Sequence, residues 1–110
     1  SQNPREQYAL ATGISVMEDY LANTETKHTY LYKIPLMFLD VTKYYSNKVM
    51  GEVILYVLKQ RQIKGLPFWV YTGSLNKIEL EQIYNQALAD YLNDSQKLNI
   101  DNYSKNLIQD

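Results

Sequence analysis

A mainly helical domain is what this sequence predicts, a compact bundle of four to five helices with a short two-stranded β ribbon at about 29–34 and 67–71. Three observations predict it. Apolar residues recur at helical spacing over 5–23, 48–64 and 75–93. The segments richest in strand-favouring residues are short, and each lies beside a proline. The chain of 110 residues is 45% hydrophobic and 21% charged, enough for one core, and without cysteine it has no disulfide framework.

The elements follow in order. Pro4 sits at a favoured first-turn position, and Leu10, Ile14, Met17 and Leu21 share one face of a helix over 5–23. Gly13 weakens that helix by about 1 kcal/mol relative to alanine without breaking it. Asn23 to His28 is polar and reads as a loop. Thr29 to Ile34 reads as a strand, closed by Pro35, which disfavours helix at the residue before it. A second helix runs over 36–45, and Ser46 and Asn47 supply a break and a cap. The third helix, 48–64, is apolar almost all round from Val53 to Leu58 and is the central buried one, with Gly65 as its left-handed cap. Leu66 to Tyr71 is the second strand of the ribbon. Ser74 caps a last long helix over 75–93, whose buried side carries Ile78, Leu80, Ile83, Tyr84, Ala87, Leu88 and Tyr91. Residues 1–94 form one helical domain. Residues 95–110 are a tail or a short final helix capped by Asp101.

Composition narrows the function. Lysine and arginine number 11 against 12 acidic residues, a net charge of -1, which lacks the basic excess of a phosphate-driven nucleic-acid binder. No apolar run approaches the ~20 residues of a membrane helix, and no charged-then-apolar leader opens the chain, so a cytoplasmic location is expected. The chain opens Ser1-Gln2-Asn3 without methionine, as a fragment of a longer protein would.

Catalysis has little to work with. His28 is the single histidine, three residues after Glu25 in a polar loop, which suits neither a nucleophilic triad nor a metal site. The carboxylate pairs Glu18/Asp19, Glu79/Glu81 and Asp90/Asp94 fall on polar helix faces. The four glycines are isolated, so there is no phosphate-cradling loop. No catalytic group, metal or cofactor is expected.

Protein interaction remains, and two features mark a contact surface. Residues 48–64 carry a net charge of +3, with Lys59, Arg61 and Lys64 at the helix end. The helix dipole alone accounts for cations there, worth roughly 0.3–1 kcal/mol each, and a binding patch accounts for them equally well. Beside them in sequence lies Phe68-Trp69-Val70-Tyr71, in a chain with 11 tyrosines. Trp69 and Tyr71 serve there either as core or as aromatic anchors. Anchors next to a basic helix end suit a partner with an acidic segment. The alternatives are a small helical nucleic-acid-binding module, using Lys48, Lys59, Arg61, Lys64 and Trp69, and a generic helical adaptor.

Ile83-Tyr84-Asn85-Gln86-Ala87, followed by Asp90-Tyr91-Leu92, resembles the closing helix of the phosphoprotein C-terminal domain of vesiculoviruses, over about ten residues. An extended aromatic segment and a glycine precede the helix in both. The resemblance implies a small, mainly helical, non-catalytic domain of a rhabdovirus phosphoprotein, which docks on the nucleoprotein–RNA template and tethers the viral polymerase to it. It adds Tyr84 to the partner-binding candidates Lys59, Arg61, Lys64, Trp69 and Tyr71.

Overall fold

The structure, a computed structural model, describes residues 8–22, 31, 33–45 and 47–94. Its elements are β1 (Tyr8–Thr12), α1 (Gly13–Ala22), β2 (Leu36–Asp40), α2 (Lys48–Ile63), β3 (Phe68–Tyr71), α3 (Lys77–Ile83) and α4 (Gln86–Asp94). The strands form one parallel sheet in the order β1-β2-β3. The domain is therefore α/β, and the expected mainly helical bundle with a two-stranded ribbon is corrected.

Two segments carry the correction. Leu36 to Leu39 is a run of four apolar residues that periodicity alone cannot divide between helix and strand. Here it is the central strand, hydrogen-bonded on both sides, and such a strand is apolar on both faces. Tyr8 to Thr12, expected as the first half of a helix, alternates Tyr-Ala-Leu-Ala-Thr instead, with Ala11 buried and Leu10 turned outward. Gly13 marks the change to helix. A Cβ there would sit 2.7 Å from the Tyr84 hydroxyl and 2.9 Å from the Lys43 carbonyl, so the strand can turn into α1 only without a side chain.

The ribbon partner changes as well. Phe68–Tyr71 is extended as expected, but it pairs with β2, from Met37 opposite Phe68 to Asp40 opposite Tyr71. Residues 33 and 34 lie in a turn before β2, while 29, 30 and 32 are outside the described residues, as are the expected tail helix and its Asp101 cap. Parallel neighbours need crossovers, and right-handed ones in a 1-2-3 order put α1 and α2 on the same face. The two helices pack on each other there, with α4 against α2.

α2 forms where expected. Asn47 Oδ1 accepts from Val49 N at 2.9 Å, and Gly65 follows the helix at φ 71. The helix expected over 75–93 is broken at Tyr84 and Asn85. α3 begins at Asn76 rather than Ser74, through a capping box in which Asn76 Oδ1 accepts from Glu79 N at 2.8 Å and Glu79 Oε1 accepts from Asn76 N at 3.0 Å. Asn85 then starts α4, its Oδ1 accepting from Leu88 N at 2.8 Å. Tyr84, fully buried at the break, donates its hydroxyl to the Val41 carbonyl at 2.6 Å. Burial raises its pKa well above the ordinary tyrosine value, so the hydroxyl keeps its proton. Among the described residues, no helix is long and apolar enough to cross a membrane.

The core lies between the sheet and the helices, where Met37, Leu39 and Val70 meet Val16, Met50, Ile54, Val57 and Leu58. At its amino-terminal side Arg61 is 0% exposed. Its Nη1 donates to the Leu31 and Ile34 carbonyls at 2.6 and 2.8 Å, and its Nη2 to those of Pro35 and Pro67 at 3.2 and 2.8 Å. One fork from α2 thus holds the chain just ahead of both β2 and β3. Lysine keeps the charge but has no planar fork to reach four carbonyls at once. Arg61→Lys is expected to lower unfolding free energy by about 2 kcal/mol, and Arg61→Met by about 3 kcal/mol or more, since buried carbonyls are left unbonded. Urea denaturation measures both, and an Arg61→Met variant as stable as wild type contradicts the assignment.

Candidate interaction surface

Side chains alternate along a strand, so each face of this sheet is set by register. Ala11, Met37, Leu39 and Val70 point to the helices and are buried. Tyr8, Leu10, Leu36, Phe38, Trp69 and Tyr71 point the other way. On that face Leu10 is 76% exposed, Tyr8 49% and Tyr71 37%, while Leu36, Phe38 and Trp69 are half-buried. The rings of Phe38 and Trp69 lie side by side, centroids 6.1 Å apart and tilted by 50°. Leu10, Phe38 and Trp69 are direct register partners, so they form one row across all three strands. At the free edge of β1 the surface turns into a cavity of about 460 Å³, lined by Tyr8, Leu10, Ser15, Asp19 and Leu31 among others.

Such a face is unusual for its sheet type. Parallel sheets occur almost only with both faces covered, yet the described helices cover one. The uncovered face is apolar and aromatic, the composition of an interface centre.

The sequence-predicted residues divide among three places. Trp69 and Tyr71 lie on the uncovered face, and Trp69 points away from the helix-facing core. Lys59 and Lys64 are exposed on and just after α2, in the helix layer on the opposite side of the sheet. The expected surface of aromatic anchors beside a basic helix end is therefore not assembled. Arg61 and Tyr84 are each 0% exposed and bonded to backbone carbonyls, so neither is available to a partner. Sequence reasoning missed Tyr8, Leu10, Leu36 and Phe38. For Leu36 and Phe38 the one signal was the unbroken apolar run after Pro35, which suits a strand covered on both faces but fits a buried helix turn equally well.

The carboxyl end of the sheet, where ligands gather in open α/β folds, is closed by its own bonds. Asp40 Oδ1 accepts from Thr42 N at 2.9 Å and from Thr42 Oγ1 at 2.6 Å. In the first turn of α1, Ile14 N donates to the Lys43 carbonyl and Ser15 N to Thr12 Oγ1. Of the carboxylate pairs, Glu79 serves the capping box and Asp90 pairs with Lys77 at 3.0 Å. Among the described residues no three His, Cys, Asp or Glu side chains are grouped to hold a metal. His28 and Glu25 lie outside the described residues. Comparison with protein families, curated proteins and solved structures finds no match to this chain.

The two faces differ in what they contribute to stability. Leu10→Lys on the uncovered face is expected to change unfolding free energy by no more than about 0.5 kcal/mol. Met37→Ala, one residue from Phe38 but turned to the core, is expected to cost about 2–5 kcal/mol. Equal losses in urea denaturation contradict the assignment of faces.

Proposed function

We propose that this chain is a non-catalytic protein-interaction domain in the cytoplasm, whose partner lays a helical, apolar surface on the uncovered sheet face. One observation carries the reading: the row Leu10, Phe38, Trp69 across a parallel sheet, flanked by Tyr8, Leu36 and Tyr71, with helices, among the described residues, on the other side only. The partner's chemistry follows from the sheet. What covers a parallel strand in folded proteins is a helix with an apolar stripe. The phosphoprotein resemblance supplies one concrete candidate, an RNA-loaded nucleoprotein. The α/β fold is not the mainly helical one that resemblance implies, so the reading rests on the face and not on Tyr84 and its neighbours.

A second reading rests on Asp40. The central strand is an apolar run ending in a carboxylate at the carboxyl edge, a placement from which an aspartate holds Mg²⁺ against nucleotide phosphates. The sequence has no glycine-rich loop, and the first-turn donors of α1 named above are taken, so a second chain would have to supply the phosphate cradle.

Titration with RNA-loaded nucleoprotein, naked RNA and Mg–ATP separates these readings. Docking on the sheet face predicts binding to loaded nucleoprotein alone, weakened about tenfold or more by Leu10→Lys or Trp69→Ala and little changed by Lys59→Glu with Lys64→Glu. Binding to naked RNA as tight replaces it with nucleic-acid recognition, and Mg–ATP binding abolished by Asp40→Asn replaces it with the second reading. Without binding to any of the three, the nucleoprotein is dropped. A partner crosslinked through a photoreactive group at position 10 then takes its place in the same titration, and the face is rejected if Trp69→Ala leaves that affinity unchanged.

A further inference from the structure

The helix layer carries an apolar stripe of its own, independent of the sheet face. Ile54 is fully buried and marks the core side of α2. At about 100° per residue, Val49, Glu52, Tyr56, Lys59 and Ile63 all fall within about 40° of the opposite, outward direction. Their exposure agrees, with Val49 at 44%, Tyr56 at 51%, Ile63 at 77%, and Glu52 and Lys59 exposed. Read along the helix, the stripe runs apolar, acidic, aromatic, basic, apolar. Its spacings of three and four residues are those of a coiled-coil seam.

We propose that this stripe is a contact between two copies of this chain, α2 packing antiparallel on α2 about a two-fold axis beside Tyr56. The charges argue for a second copy. Glu52 and Lys59 are placed nearly symmetrically about the same point as Val49 and Ile63. In an antiparallel pair, Glu52 of each copy meets Lys59 of the other, Val49 meets Ile63, and the two Tyr56 rings meet at the axis. A parallel pair would set Glu52 against Glu52 and Lys59 against Lys59, so the same charges select direction. The contact is isologous and closes at two. α1 and α4 flank α2 in the layer and leave its outward side as the crest of the surface. The stripe is about 21 Å long at 1.5 Å per residue, short for a stable interface, so the dimer is weak and concentration-dependent.

Sedimentation equilibrium on the full chain tests this, with Glu52→Lys, Lys59→Glu and the double exchange beside wild type. Wild type dimerises as its concentration rises. Each single reversal sets like charges against each other twice, by symmetry, and weakens the dimer about tenfold or more. The double exchange restores it, and an equimolar mixture of the two single variants forms a heterodimer that neither forms alone. Both positions are exposed, and circular dichroism verifies that the variants fold. A wild type that stays monomeric at about 1 mM, or a dimer indifferent to either reversal and lost with Leu10→Lys, overturns the proposal.

Discussion

Arg61 reaches from the middle helix to the backbone ahead of two strands, and the order of the sheet depends on that reach. Parallel strands cannot be joined by tight turns, so their amino ends arrive from separate crossovers and need a common anchor. The guanidinium provides it, bonding the Leu31, Ile34 and Pro35 carbonyls before β2 and the Pro67 carbonyl before β3. These carbonyls lie at the entries to the strands, beside Pro35 and Pro67, and that of Pro67 also accepts from Met37 N of β2 at 3.4 Å. Arginine has the planar five-donor fork for this and stays charged while buried. The carboxyl end is tied differently, by the Tyr84 hydroxyl on Val41 and the Ile14 amide on Lys43.

These ties all lie at the ends or on the helix side of the sheet. The opposite face is therefore released from any structural duty among the described residues. Its side chains are nevertheless large and apolar, where an exposed face of a single-layer sheet is ordinarily polar. That conflict between a strand pattern suited to burial and a face left uncovered is what the interaction reading resolves. Leu10, the most exposed of the row, contributes little to folding and is available to a partner. Phe38 and Trp69 pack against each other with their rings tilted by 50°.

Local signals made part of this fold legible in the sequence. The helix over 48–63 was readable because a cap residue, Asn47, precedes it and Gly65 ends it. The strand at 68–71 was readable from its aromatic run between glycines. The strand over 36–40 was not, because four apolar residues fit a buried helix turn equally well, and the decision lies in pairing to distant strands. The break at Tyr84–Asn85 was hidden because neither residue is a strong helix breaker. It exists so that the Tyr84 ring can fill the core while α4 turns onto α2, where Gly51 leaves room for Asn85. Of the site, Trp69 and Tyr71 were legible as aromatic anchors, while Tyr8 and Leu10 were absorbed into a false helical region. Arg61 was grouped with Lys59 and Lys64 by composition, although its position four residues after Val57 and three after Leu58 already put it on the buried stripe.

The central proposal is that the sheet face carrying Trp69, which no helix among the described residues covers, is a contact surface open in the isolated domain. Trp69 is the single tryptophan in the chain, so its fluorescence reports on that face alone. Quenching by acrylamide and by iodide, with the emission maximum, is the most direct measurement. An open face predicts emission shifted toward that of a solvated indole and ready quenching by both agents in the native protein. A blue-shifted emission that resists iodide until the protein unfolds would show the face covered and contradict the account.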